Sequence, residues 1–245
     1  MSTVLGDTAI KYKDVGGGSD LTHGPREQLI DRILELVTGG QLAVGQRTSE
    51  QWLAETLGTS RTPIRQALAA LARELIVVQR PQSGVWIRAV APREMDDALR
   101  VSYEIETRAL GWALGLERSS KEELGSALAE LHDAGSSDNF LRADTRFHVR
   151  LCELGGMPSG AIALWRWGLL TRIFCVTNPL SDELRDRLRT TAQTLVDAVE
   201  AGDENGAFAA LRDNYQARID WLRALGGPAA TDAAAPVRRV ALELS

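Results

Sequence analysis

Two short stretches of the chain set chemically capable residues at useful spacings. In Ser60-Arg61-Thr62-Pro63-Ile64-Arg65 two arginines stand four residues apart, so on a helix both leave from one face. Arginine reads a guanine edge with two hydrogen bonds. The hydroxyls of Ser60 and Thr62, with the free N–H groups of a first helical turn, suit phosphate. The second stretch holds Asp144 and His148, again i and i+4, with Leu151 next along the same face. An aspartate on a face that otherwise packs inward is costly unless paired or hydrogen-bonded, which points to a polar cavity. Each stretch also fits a blander arrangement: a capped amphipathic helix with solvated arginines, and a satisfied buried Asp–His pair with nothing bound.

Around the arginines the periodicity predicts a helix from about Pro25 to Thr38, ended by Gly39-Gly40. A second helix starts at Thr48 or Ser49 as N-cap and stops at Gly58, and a third follows Thr59 or Ser60 with Pro63 in its first turn. Two helices joined by a short turn containing glycine make the helix-turn-helix outline, whose second helix lays its N-terminus in the major groove. The β-branched runs Leu75–Arg80 and Val85–Val90, separated by Pro81-Gln82-Ser83-Gly84, predict a hairpin with a loop small enough to reach a neighbouring groove. Beyond Pro92 only helical spacing remains, over 95–116, 121–133, 138–154, 160–176, 182–201 and 203–224. The fold class is therefore mainly α: an N-terminal winged helix-turn-helix of three helices plus a β-hairpin, then an all-helical bundle. The expected division is a flexible arm over 1–24, a winged helix-turn-helix domain over 25–90, an all-helical domain over 91–224, and a flexible tail over 225–245.

Composition sets the limits. The 245 residues, 44% hydrophobic and 25% charged, are ordinary for a globular protein and leave room for two modest cores. No apolar run approaches the roughly 20 residues of a spanning helix, so no membrane partner is expected. The N-terminus lacks the pattern of a signal peptide, and two cysteines without CxxC spacing fit a reducing, cytoplasmic setting. The net charge of −5 is unevenly spread: residues 24–90 hold eight arginines against six acids, a net +2 that leaves −7 for the rest. Only the first part favours phosphate.

Residues 25–90 resemble the DNA-binding domain of the GntR family of bacterial transcription regulators. The resemblance rests on Gly45, Glu50, Leu53-Ala54, Leu57-Gly58 and the specific run Ser60-Arg61-Thr62-Pro63-Ile64-Arg65-Gln66-Ala67-Leu68, continued by Leu71, Glu74 and Gly84. Departures are Val44, where a proline is usual, and Leu75, where a glycine is usual. The resemblance implies base and phosphate contacts from Arg61 and Arg65, support from Gln51, Ser60 and Thr62, and a wing contact from Gln82 and Gly84. It also implies a homodimer on a palindromic double-stranded DNA operator.

Residues 95–224 resemble the helical FCD effector domain of the FadR-like subfamily, through Asp144-Thr145-Arg146-Phe147-His148, Gly155-Gly156-Met157-Pro158 and Ala198-Val199-Glu200-Ala201-Gly202-Asp203. In that family the aspartate and histidine usually join two further histidines around a divalent metal. Here those two positions are Ala192 and Asn214, and the chain has three histidines in all, His23, His132 and His148. Two ligands fall short of a tight site, so no cofactor is expected. Any zinc or nickel held there would use Asp144 and His148. The expectation is a metal-free pocket in which Asp144, His148 and Asn214 hydrogen-bond a small-molecule effector. Effectors of the family are often carboxylates, for which Arg172 is the candidate cation. Trp112, Trp165 and Trp167 fit a pocket wall, the core or a dimer interface.

The sequence reading is thus a repressor released by a carboxylate-type effector. A DNA-binding dimer that has lost metal and effector response is the alternative. An enzyme is not expected, since neither Cys152 nor Cys175 has a histidine partner by spacing, and no nucleophile elbow or phosphate loop occurs.

Overall fold

The computed structural model describes residues 25–80, 84–115 and 118–226. The predicted arm over 1–24, the tail beyond 226 and the wing loop 81–83, with Gln82, lie outside the described residues. The chain divides into two compact units between Arg88 and Ala89.

The first unit runs α1 (Pro25–Thr38), β1 (Arg47–Thr48), α2 (Glu50–Leu57), α3 (Arg61–Arg73), β2 (Val77–Arg80) and β3 (Gly84–Ile87). Both ends of α2 have a local cause. Ser49 accepts from Trp52 N at 3.1 Å and caps α2. Gly58 ends α2 at φ 63°, a left-handed turn that glycine adopts without a Cβ clash. The inward stripe of α3, Ile64, Ala67, Leu68 and Leu71, is wholly buried. It packs on α1 and α2, where Ile33, Leu34, Val37 and Leu53 close the core.

The hairpin is shorter than predicted, because Leu75 takes a left-handed φ of 58° and the strand starts only at Val77. At the far end Arg88 N donates to Ile76 O, and the chain then turns into the second unit. The two-residue β1 was not predicted. It exists only through pairing, with Arg47 opposite Trp86 and Thr48 opposite Val85, giving an antiparallel sheet of order β1-β3-β2.

The second unit is helical among its described residues: α4 (Pro92–Ala113), α5 (Arg118–Asp133), α6 (Ser137–Leu154), α7 (Pro158–Thr177), α8 (Asp182–Ala201) and α9 (Glu204–Ala224). All six predicted segments are present, with ends displaced by up to three residues. Ser136, Ser181 and Asp203 cap α6, α8 and α9 through their side chains. Helix α6 packs between α5, α7 and α4, and α9 packs on α8 and α4. Phe140, Phe147, Leu151, Phe174, Leu188 and Leu211 are the heart of the core. Two close approaches fix the packing around α6: Gly155 lies against the backbone of Ala109, and Gly168 of α7 against Thr145.

Candidate functional site

In the first unit α3 presents Arg61, Thr62 and Arg65 on its exposed face, opposite the buried stripe. Ser60 is the N-cap by backbone geometry, but its hydroxyl makes no capping bond. Both arginines lean on Glu50, the first residue of α2. Arg65 donates from Nε to Oε1 at 3.0 Å and from Nη2 to Oε2 at 2.9 Å, and Arg61 Nη2 reaches Oε2 at 3.5 Å. The pair with Arg65 holds the Glu50 carboxyl below its ordinary range and raises the arginine. Gln51 sits on α2 and donates to Glu55 Oε1 at 3.0 Å. Gly84 opens β3 at φ 112°, opposite Arg80. Glu50 was legible as a motif residue, but its grip on both arginines required the turn between α2 and α3 to be built.

In the second unit Asp144 and His148 do share a buried face of α6, as their spacing predicts. They meet Arg218 and Asn214 of α9. Arg218 donates from Nη2 to Asp144 Oδ1 at 2.7 Å and from Nη1 to Asp144 Oδ2 at 2.9 Å. Its Nη2 also lies 3.0 Å from His148 Nε2, and its Nε donates to Asn214 Oδ1 at 3.1 Å. Asn214 in turn donates to Thr191 Oγ1 at 2.8 Å and to Leu188 O at 3.3 Å. On the other side of the imidazole, Nδ1 is 2.6 Å from Glu106 Oε2, and Tyr215 donates its hydroxyl to Glu106 Oε1.

These groups perturb one another. Burial pushes the Asp144 carboxyl up, but the Arg218 guanidinium beside it, helped by His148, brings it below its ordinary value. Burial lowers Arg218 while Asp144 more than restores it, leaving it raised. Burial and the Glu106 carboxylate hold the Tyr215 phenol well above its ordinary range. The cluster borders a cavity of about 50 Å³ with Ser102, Thr145 and Thr171 among its polar walls and Met95, Leu99, Leu164 and Trp167 among its apolar ones.

Several predicted residues stand elsewhere. Arg172 is not at this cavity: it is buried on α7 and clamps Asp138 through Nε and Nη2, each at 2.9 Å. Asn214 touches the cluster through Arg218 rather than by lining the cavity. Of the tryptophans, Trp167 lines the cavity, Trp165 packs against the small cluster around Ala161, and Trp112 is exposed.

Glu106, Tyr215 and Arg218 were missed by sequence reasoning. Two of them left a signal. Met95, Ala98, Ser102, Glu106, Ala109 and Ala113 repeat at three- and four-residue steps, which puts a glutamate on a buried stripe. Arg218 stands one turn beyond Asn214 on the same face.

A helix-turn-helix backed by a strand pair, in one chain with a helical domain that holds a polar cavity, is the layout of a DNA-binding transcription regulator. Family models agree on both halves. Residues 25–87 match the bacterial regulatory proteins of the gntR family, and residues 97–217 match the FCD domain. The chain belongs to the GntR family and carries an FCD domain. It is 29% identical over 200 residues to a probable D-xylose utilization operon transcriptional repressor of Paenarthrobacter nicotinovorans, covering 78% of this chain and 86% of that one. It is 27% identical to the HTH-type transcriptional regulator McbR of Escherichia coli K12, over 74% of this chain and 84% of the relative. The solved structure of E. coli McbR/YncC shares the fold, with a TM-score of 0.68 over 83% of this chain and 99% of that one at 23% identity.

Proposed function

We propose that this regulator is a repressor that binds a palindromic operator as a homodimer in the cytoplasm and is released by a small molecule held in the helical domain. The observation that carries the DNA-reading half is the first two turns of α3. Their outer face offers Arg61, Thr62 and Arg65 to a groove while the inner face is locked into the core. Ser60, with its hydroxyl unspent on the cap, and Gln51 are the supporting contacts, and Gly84 with Gln82 supplies the wing. Two-fold operators follow from two-fold protein symmetry. The similarity to the probable repressor of Paenarthrobacter nicotinovorans supports the sign of regulation.

The cavity beside Asp144 and His148 supports an effector site and weighs against the alternative of a dimer that has lost its response. A carboxylate effector was the sequence expectation, but its candidate cation Arg172 is committed to Asp138 away from the cavity. In mechanism, a ligand that prefers one placement of the reading helices shifts the population toward it. DNA and inducer must then weaken each other by the same factor. The test is an operator titration at fixed salt, with and without candidate effectors, on unaltered protein and on Arg65→Ala. Retained operator affinity in the variant would sink the assignment of the reading helix.

A further inference from the structure

The resemblance placed a divalent ion among Asp144, His148 and the side chains at 192 and 214, and the residues present do not fit one. Ala192 offers only a buried methyl group. The other three turn their acceptor atoms on a single guanidinium: both Asp144 oxygens, His148 Nε2 and Asn214 Oδ1 all lie 2.7–3.1 Å from nitrogens of Arg218. A metal ion would need those same lone pairs. Among the described residues no group of three or more His, Cys, Asp or Glu side chains is arranged to hold one.

The same contacts fix the charge of the cavity. Arginine can only donate, so His148 Nε2 must accept and the ring proton sits on Nδ1, aimed at Glu106. Among the residues lining the cavity, Arg218 carries the fixed positive charge, and Asp144 and Glu106 are the carboxylates. Arg218 and Asp144 cancel as a bidentate pair. Glu106 is a buried carboxylate, 0% exposed, that takes donated hydrogen bonds from Tyr215 and His148, while the guanidinium of Arg218 is spent on Asp144, His148 and Asn214. An entering carboxylate would face that buried charge at low dielectric, where repulsion is strong. A hydroxyl or amine would meet lone pairs instead. The volume of about 50 Å³ suits a few heavy atoms, with Leu99, Leu164 and Trp167 covering their apolar side.

We propose that Arg218 is a resident cation seated where the family's ligand set would hold a metal ion, so that the pocket works without metal and takes a small hydrogen-bond donor bearing no negative charge, a polyol or an amine. This rests on the reading of the helical unit as the effector domain.

The experiment is thermal unfolding of the chelator-treated full chain. It is titrated with zinc chloride or nickel chloride alone and, without metal, with matched pairs: glycerol against glycerate, erythritol against erythronate, and ethanolamine against glycolate. A ligand that binds only the native state raises the melting temperature with concentration. The expected result is no shift with either ion, and a shift of several degrees with at least one polyol or amine but with none of the acids. An ion that stabilises and stays bound through desalting overturns the proposal. So does an acid that stabilises where its partner does not, or a panel in which no polyol or amine acts.

A triple variant, Ala192→His, Asn214→His and Arg218→Ala, is expected to gain zinc binding, seen as a metal-dependent rise in melting temperature. Should that variant fail to fold, the ion titration of the unaltered chain still decides the metal question. Operator binding is measured in parallel. A chain that binds no DNA overturns the regulator reading and leaves the pocket chemistry standing, whereas a chain released from DNA only by metal plus acid overturns this proposal alone.

Discussion

Glu50 and Arg65 form a two-pronged pair across the turn between α2 and α3, with oxygen–nitrogen distances of 3.0 and 2.9 Å. The Arg65 side chain is 65% exposed, so the pair adds little to stability and its effect lies in orientation. On the proposed reading of α3, a phosphate or a base edge competes with the carboxylate for the same guanidinium.

Arg65→Ala is therefore expected to weaken operator binding by roughly ten- to hundredfold with the fold intact. Glu50→Gln should act in the opposite sense on random DNA: the freed arginines bind phosphate more tightly at low salt, and the advantage of operator over random sequence shrinks. Salt-dependent titrations on both DNAs check this, and a Glu50→Gln protein with unchanged discrimination would count against the orienting role.

Leu75 holds a left-handed φ of 58° and is 62% exposed. A Cβ in that region costs about 1–2 kcal/mol, part of which glycine gives back through the entropy of the unfolded chain. Leu75→Gly should raise stability by about 0.5–1 kcal/mol in denaturant melts without altering DNA affinity.

Arg218→Leu leaves Asp144 buried without its cation, at an expected cost of about 3–5 kcal/mol near neutral pH. The pH dependence should change sign. In the unaltered chain burial raises the Asp144 carboxyl, but Arg218 first and His148 second bring it below its unfolded value. Its contribution is thus present above the ordinary carboxylate range and lost as pH falls through the folded value. In the variant burial acts with only His148 opposing it, near the Glu106 carboxylate and the Tyr215 phenol. The folded carboxyl then binds its proton more readily than the unfolded one, and stability attributable to Asp144 grows as pH falls. Denaturant melts on both proteins from about pH 2 to 7 separate the two slopes, since the unaltered chain loses its contribution below the ordinary carboxylate value of about 4.

A Cβ on Gly155 would lie 2.6 Å from Ala109 Cα and 2.7 Å from its carbonyl carbon. Backbone cannot step aside as a flexible side chain can, so Gly155→Ala should destabilise the helical unit by about 1–3 kcal/mol. A variant that melts like the parent would show that α4 and α6 are not locked at this point.

Cys152 and Cys175 are buried, and burial first of all pushes both thiols up, Cys175 to about 12. Neither should react with a thiol reagent at neutral pH until the protein unfolds. Labelling in the native state would contradict their burial.

Much of the fold was legible because local signals agreed with one another. The capped, periodic helices announced themselves through Ser49, Gly58, Gly202 and Asp203, while the caps Ser136 and Ser181 emerged only with the structure. The reading helix was legible from Arg61 and Arg65, and the polar pair from the spacing of Asp144 and His148. What was illegible depends on distant partners. The strand at Arg47-Thr48 is too short to have a period and exists through Trp86 and Val85. Arg172 and Arg218 are both buried arginines on helices, and nothing local tells which one finds Asp138 and which finds Asp144. Glu106 is 42 residues from His148 in sequence, yet completes its hydrogen bonding.

A guanidinium is a covalent part of the chain. The charge that Arg218 brings to Asp144 is therefore present in every folded copy at fixed stoichiometry, can be neither chelated nor exchanged, and arrives with translation. That part of the pocket's charge is written in the gene and depends on no supply of metal.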